Sequence, residues 1–69
     1  MRIGYIVSYD ISDPKRWRNV YRAMMGYGDD VQYSVVRCVL SDADRVALIA
    51  RLAGLIIHKD DQVLVVNMG

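Results

Sequence analysis

Ile3, Tyr5, Val7 and Tyr9 alternate with Gly4, Ile6, Ser8 and Asp10, the period of two that a strand imposes on its faces. The strongest constraint on the fold is that the second of these faces is not polar. Ile6 stands there beside the small Gly4 and Ser8, so the strand is expected to be central in its sheet and covered on both sides. It closes on a carboxylate, Asp10. After Ile11 and Ser12, Asp13-Pro14 opens a helix, because the cap oxygen takes a free amide and Pro has none to lose. Lys15 and Arg16 give that helix a cationic first turn. The order strand, acid, cap, cations brings a possible metal ligand and phosphate-binding groups to one end of one sheet.

The remainder of the chain reads as the support for that end. Trp17, Val20, Tyr21, Met24 and Met25 recur at helical spacing through about residue 26, with Lys15, Arg18, Asn19 and Arg22 on the wet face. Gly26 and Gly28 are expected to end the helix through positive φ. Asp29-Asp30 reads as a turn. Gln32, Tyr33 and Ser34 interrupt the apolar run from Val31 to Leu40, which predicts a short strand, a tight reversal near Tyr33–Ser34 and a longer strand from Val35 to Leu40. Ser41 caps a second helix, with Asp44 three residues on. Its buried stripe is predicted as Val46, Ile49, Ala50, Ala53 and Ile56, widened by Leu48, Leu52 and Leu55. Lys59-Asp60-Asp61 is a turn and Val63–Val66 a last apolar strand. The βαββαβ order predicts one α+β domain over residues 1–69. Handedness makes it ferredoxin-like, a four-stranded antiparallel sheet with both helices on one face.

A chain of 69 residues buries only about 60% of its unfolded surface, which leaves a lone monomer marginal. Its hydrophobic content is nevertheless 54%, and the last strand is an apolar edge with no Lys or Pro to protect it. A homodimer covering the second face of the sheet is the expected solution. The single Cys38 fits a buried free thiol in a reducing cytosol. Neither a secretory leader nor a run of ~20 apolar residues is apparent, so the expectation is a cytoplasmic protein with no membrane contact. Net charge is only +1, yet Lys15, Arg16, Arg18 and Arg22 lie within one short stretch. The positive field is local, as a nucleic-acid footprint requires.

Asp10 is the leading candidate for chemistry. A carboxylate at the end of an apolar central strand has little structural purpose, and Mg²⁺ or Mn²⁺ binds through one or two such groups plus phosphate oxygens. Arg16 and Arg18 suit bidentate phosphate binding and Lys15 and Arg22 add charge; the alternative is an ordinary solvated helix face. Tyr9 suits either base stacking or the core. Arg37 suits either nucleic acid or normal outward alternation, and Ser8 and Ser12 either the ion or the turn. His58, near the second helix end, is assigned no catalytic role. No Cys/His cluster, glycine-rich phosphate loop or RNA-recognition-motif signature is present.

Val7-Ser8-Tyr9-Asp10-Ile11-Ser12-Asp13, Lys15-Arg16, Gly26-Tyr27-Gly28 and Val31-Gln32-Tyr33-Ser34-Val35 together resemble the CRISPR-associated endoribonuclease family, the smaller protein of spacer acquisition. The resemblance implies a ferredoxin-like homodimer with Asp10 as the metal-binding acid at its interface. It also implies divalent-metal-dependent cleavage of RNA or DNA, and a cytosolic complex with the integrase subunit and spacer DNA. Val36 stands where members usually carry Phe, and members usually continue past the fourth strand into another that packs on the partner subunit. Two further readings stay open: a non-catalytic DNA-binding scaffold of the same complex, and a small regulatory dimer that binds a metabolite.

Overall fold

A computed structural model describes all of residues 1–69. The elements run β1 (Arg2–Asp10), α1 (Pro14–Met25), β2 (Gly28–Gln32), β3 (Val35–Ser41), α2 (Asp42–Leu55) and β4 (Gln62–Asn67). The sheet order is β2-β3-β1-β4, antiparallel throughout, so the βαββαβ expectation holds with β1 and β3 central. No helix is long and apolar enough to cross a membrane.

Alternation along β1 sets the two layers. Tyr5, Val7 and Tyr9 are buried against the helices, and their register with Cys38, Val36 and β4 residues Val63 and Val65 fills one face. Val20, Ala23 and Met24 of α1 and Leu48 and Leu52 of α2 close the core over them. Each large apolar side chain so buried contributes about 1.5–3 kcal/mol. The other face has no helix. Ile6 lies there between Arg37 and Val66, and Val39, Leu64 and Val66 are about half exposed.

Several local expectations need correction. Gly26 ends α1 with φ −77°, not a positive value; its N–H is bonded to the Ala23 carbonyl at 3.2 Å and the Tyr27 N–H to the Met24 carbonyl at 2.9 Å. Gly28 serves sheet packing instead. A Cβ there would lie 2.2 Å from the Arg37 carbonyl oxygen and 2.7 Å from Cys38 Cβ, so only glycine lets β2 approach β3. Asp29 and Asp30 are not a turn but the middle of β2, paired with Arg37 and Val36. In α2 the buried residues are Leu48 and Leu52, flanked by partly buried Leu55 and Ile56, while Val46, Ile49, Ala50 and Ala53 are exposed. Apolar residues surround this helix, so spacing alone could not select the face, and the leucines took the interior.

The reversal at Tyr33–Ser34 is as expected, though without glycine. Ser34 adopts φ 61°, a left-handed conformation that costs a non-glycine residue roughly 1–2 kcal/mol. Two bonds offset that cost. The Ser34 carbonyl accepts the Tyr9 N–H at 3.0 Å, and Ser34 Oγ accepts the Trp17 indole N–H at 2.8 Å.

Candidate functional site

The C-terminal end of β1 gathers three other pieces of the chain. α1 starts there, the β2–β3 turn is bonded to Tyr9, and β4 begins opposite Asp10 through the Asp10–Gln62 register. Asp13 caps α1, its Oδ2 accepting the Arg16 N–H at 2.9 Å, and Pro14 takes the first helical position. The local sequence therefore turns directly from strand to helix and leaves Asp10 at the rim.

A second acid, which sequence reasoning assigned to a turn, anchors this end. The Asp61 side chain is wholly buried and accepts five hydrogen bonds. Ser12 donates its N–H at 3.0 Å and Oγ at 3.1 Å, Arg16 donates Nε at 2.9 Å and Nη2 at 3.2 Å, and Ile57 donates its N–H at 2.9 Å. The Arg16 guanidinium, the Ile57 amide and the two Ser12 donors hold the Asp61 carboxyl far below the usual carboxylate range, against the opposing effect of burial. Arg16 is correspondingly raised, chiefly by its bond to Asp61. Nothing local in the run Lys59-Asp60-Asp61 distinguishes this acid from Asp60, which is exposed.

Asp10 is exposed and takes part in neither ion pair of the chain. It borders a wholly polar depression of about 420 Å³ lined also by His58, Lys59, Asp60, Asp61 and Gln62. His58 lies beyond the end of α2 and not in its last turn. No group of three or more His, Cys, Asp or Glu side chains within one chain is placed to hold a metal. The donor set fits a hydrated Mg²⁺ or Mn²⁺ held through one carboxylate and does not fit a dehydrated cage.

The cations divide. Lys15, Arg18 and Arg22 are exposed at i, i+3 and i+7, one stripe that starts in the first turn of α1 and runs along the helix. Arg16 is turned inward with two of its nitrogens bound to Asp61 and Ser12. Arg37 projects from the helix-free face, four strand positions from Asp10 and opposite Asp29. Ser12 serves the Asp61 cluster, and Ser8 faces the open side of the sheet, paired with Val35 and Leu64.

Of the two roles open to Tyr9, the structure gives it the core and not base stacking. Only 2% of it is exposed, its ring lies 6.0 Å from Trp17, and its hydroxyl is buried with no partner. Burial, then nearby Tyr21, Asp30 and Tyr33, push its pKa up. The exposed aromatic at this end is instead Tyr33, to which the sequence assigned a place in the turn but no site role.

All of residues 1–69 match the family described as CRISPR associated protein Cas2. The CRISPR-associated endoribonuclease Cas2 1 of Rhodospirillum rubrum is 48% identical over 66 residues, which is 96% of this chain and 65% of that protein. The chain thus spans slightly under two thirds of that relative. A crystal structure of Streptococcus pyogenes Cas2 superposes with a TM-score of 0.91 at 32% identity, covering 97% of this chain and 87% of that one. A hypothetical protein from Thermus thermophilus superposes with a TM-score of 0.97 at 28% identity, covering 100% and 84%.

Proposed function

This chain belongs to the CRISPR-associated Cas2 family, and from that premise we propose that it is a divalent-metal-dependent endonuclease of the spacer-acquisition machinery, cutting single-stranded RNA. The observation that carries the reading is Asp10, an unpaired, exposed carboxylate whose strand end is tied down by the buried Arg16–Asp61 pair. The endoribonuclease names of the Rhodospirillum rubrum and Geobacter sulfurreducens relatives support the same reaction class.

Asp10 would hold the Mg²⁺ or Mn²⁺. When bound, such an ion polarises a phosphodiester and makes water a better nucleophile. Lys15 and Arg18, exposed in the first two turns of α1, would hold flanking phosphates. Arg16 fixes the geometry through Asp61, with only Nη1 outside those bonds. Arg22 would extend the contact along α1, whereas Arg37, opposite Ile6 and Asp29 on the helix-free face, belongs with the surface a partner subunit would cover.

The site is proposed to be completed in a homodimer. A twofold partner on the face carrying Ile6, Val39, Leu64 and Val66 would remove that apolar surface from water and bring a second Asp10 towards the first. Such a dimer would act in the cytoplasm with the integrase subunit. A second reading, a non-catalytic scaffold bridging DNA between integrase subunits, is favoured by the cation stripe running along α1. The deciding experiment is a cleavage assay on single-stranded RNA and double-stranded DNA, with Mg²⁺ and with chelator. Chelator-sensitive RNA cleavage supports the nuclease; binding of duplex without cleavage of either substrate supports the scaffold.

A further inference from the structure

Tyr33 combines two properties that rarely coincide. It is 79% exposed at the tip of a turn, yet its ring is held in place. It stacks on Trp17 with centroids 5.0 Å apart and planes within 10°, and Trp17 stacks in turn on Tyr21 at 5.2 Å and 13°. Trp17 is itself fixed, because its indole N–H is bonded to Ser34 Oγ in the same turn. That bond ties the turn carrying Tyr33, with its left-handed Ser34, to α1. Burial alone accounts for Trp17, but it does not account for a tyrosine whose ring is ordered while most of its surface faces water.

Resting on the nuclease reading above, we propose that Tyr33, backed by Trp17, is a stacking subsite for an unpaired nucleobase next to the phosphodiester that Asp10 serves. Three observations converge on that occupant. The subsite is close to the acid: the Ser34 carbonyl is bonded to the N–H of Tyr9, the neighbour of Asp10. It has a phosphate partner: Arg18 lines the same shallow cleft as Tyr33, Trp17, Pro14, Ser12 and Ile11. It has a polarity: the strand leading into the turn carries the acids Asp29 and Asp30, whereas α1 carries Lys15 and Arg18, so a phosphate backbone is favoured on the α1 side. A base of a duplex is stacked within its own helix and cannot present a free face. The platform therefore selects single strands, with little preference among bases, since every base has a π-face. Rings already stacked lose little freedom on binding.

The test uses the full chain, a fluorescein-labelled single-stranded RNA, the same RNA annealed into a duplex, and the variants Tyr33→Ala, Tyr33→Phe and Asp10→Asn. Tyr33→Ala should weaken single-strand binding roughly 5- to 150-fold, the range expected for one lost base stack. Duplex binding should not change, and the slope of log Kd against log salt should stay the same, because no ion pair is lost. Tyr33→Phe should restore binding. Thermal melting of each variant separates loss of the platform from loss of fold. Wild-type affinity in Tyr33→Ala, equal weakening towards duplex, or no binding of single-stranded RNA by the native chain would each overturn the subsite. Failure of the nuclease reading looks different: native and Asp10→Asn proteins both leave the RNA intact while the Tyr33 dependence of binding persists.

Discussion

Arg16 and Asp61, 45 residues apart in sequence, form a two-pronged ion pair, Nε to Oδ2 at 2.9 Å and Nη2 to Oδ1 at 3.2 Å. The pair fastens the first turn of α1 to the entrance of β4, and Asp10 sits on the strand between them. A helix cation that composition alone would assign to phosphate binding thereby becomes part of the frame.

Asp61→Asn should lower Tm by several degrees while Asp60→Asn leaves it unchanged, because only Asp61 carries the buried bonds. The native protein should also show an acid-side stability loss that Asp61→Asn lacks. The folded Asp61 carboxyl is held below its unfolded value of about 4, so the unfolded chain binds the proton first. Its contribution is complete above that value and declines as pH falls towards the folded one. Chemical denaturation between neutral pH and pH 2 reads both slopes.

Asp10→Asn should eliminate metal-dependent cleavage and leave stability within about 0.5 kcal/mol of native, as for surface substitutions away from structural bonds. Asp10 is exposed and outside both ion pairs. Undiminished cleavage by the purified, folded variant would remove Asp10 from the reaction.

Arg18→Ala and Arg16→Ala should separate cleanly, although both are helix-one arginines. Arg18→Ala is expected to reduce the salt slope of single-strand binding by roughly 0.7 at unchanged Tm. Arg16→Ala leaves the Asp61 carboxylate buried without its cation, so its first effect is a lower Tm. Titrations at several salt concentrations, with melting curves for each variant, distinguish the two.

Gly28→Ala should destabilise the fold by about 1–3 kcal/mol, the usual cost of overpacking. The added Cβ would fall 2.2 Å from a backbone carbonyl that cannot rotate away. Gly54→Ala, where nothing lies within 4 Å of the new carbon, should stabilise by up to about 1 kcal/mol, since it sits inside α2. Urea titration of both variants supplies the comparison.

Sedimentation at micromolar concentration should show a dimer, and Leu64→Lys should shift it towards monomer. Leu64 is 53% exposed on the helix-free face beside Ile6 and Val66. A native chain that sediments as a folded monomer of about 8 kDa would remove both the interface and the paired-acid site.

The parts of the fold legible in the sequence were those governed by local rules. Period-two alternation marked β1, Asp13-Pro14 marked the start of α1, and Ser41 marked the start of α2; each is an interaction within a few residues of chain. Element order then left few topologies open. β2 was harder to read because Asp29 and Asp30, poor strand formers, are carried there by pairing with β3. The helix-two face was illegible because its apolar residues are not confined to one stripe.

For the candidate site, sequence was enough to nominate Asp10, since an acid closing an apolar strand is conspicuous without any partner. Sequence could not sort the cations, nor tell Asp61 from Asp60 or Tyr33 from Tyr9. Those distinctions depend on which side chains meet across the sheet end: Asp61 is reached by Ser12, Arg16 and Ile57, Tyr9 is sealed beneath Trp17, and Tyr33 is left outside it. Local propensity acts through neighbours in the chain and can be read along it. Burial, charge pairing and ring stacking act through neighbours in space, and only the folded arrangement of β1, α1, the β2–β3 turn and β4 decides those.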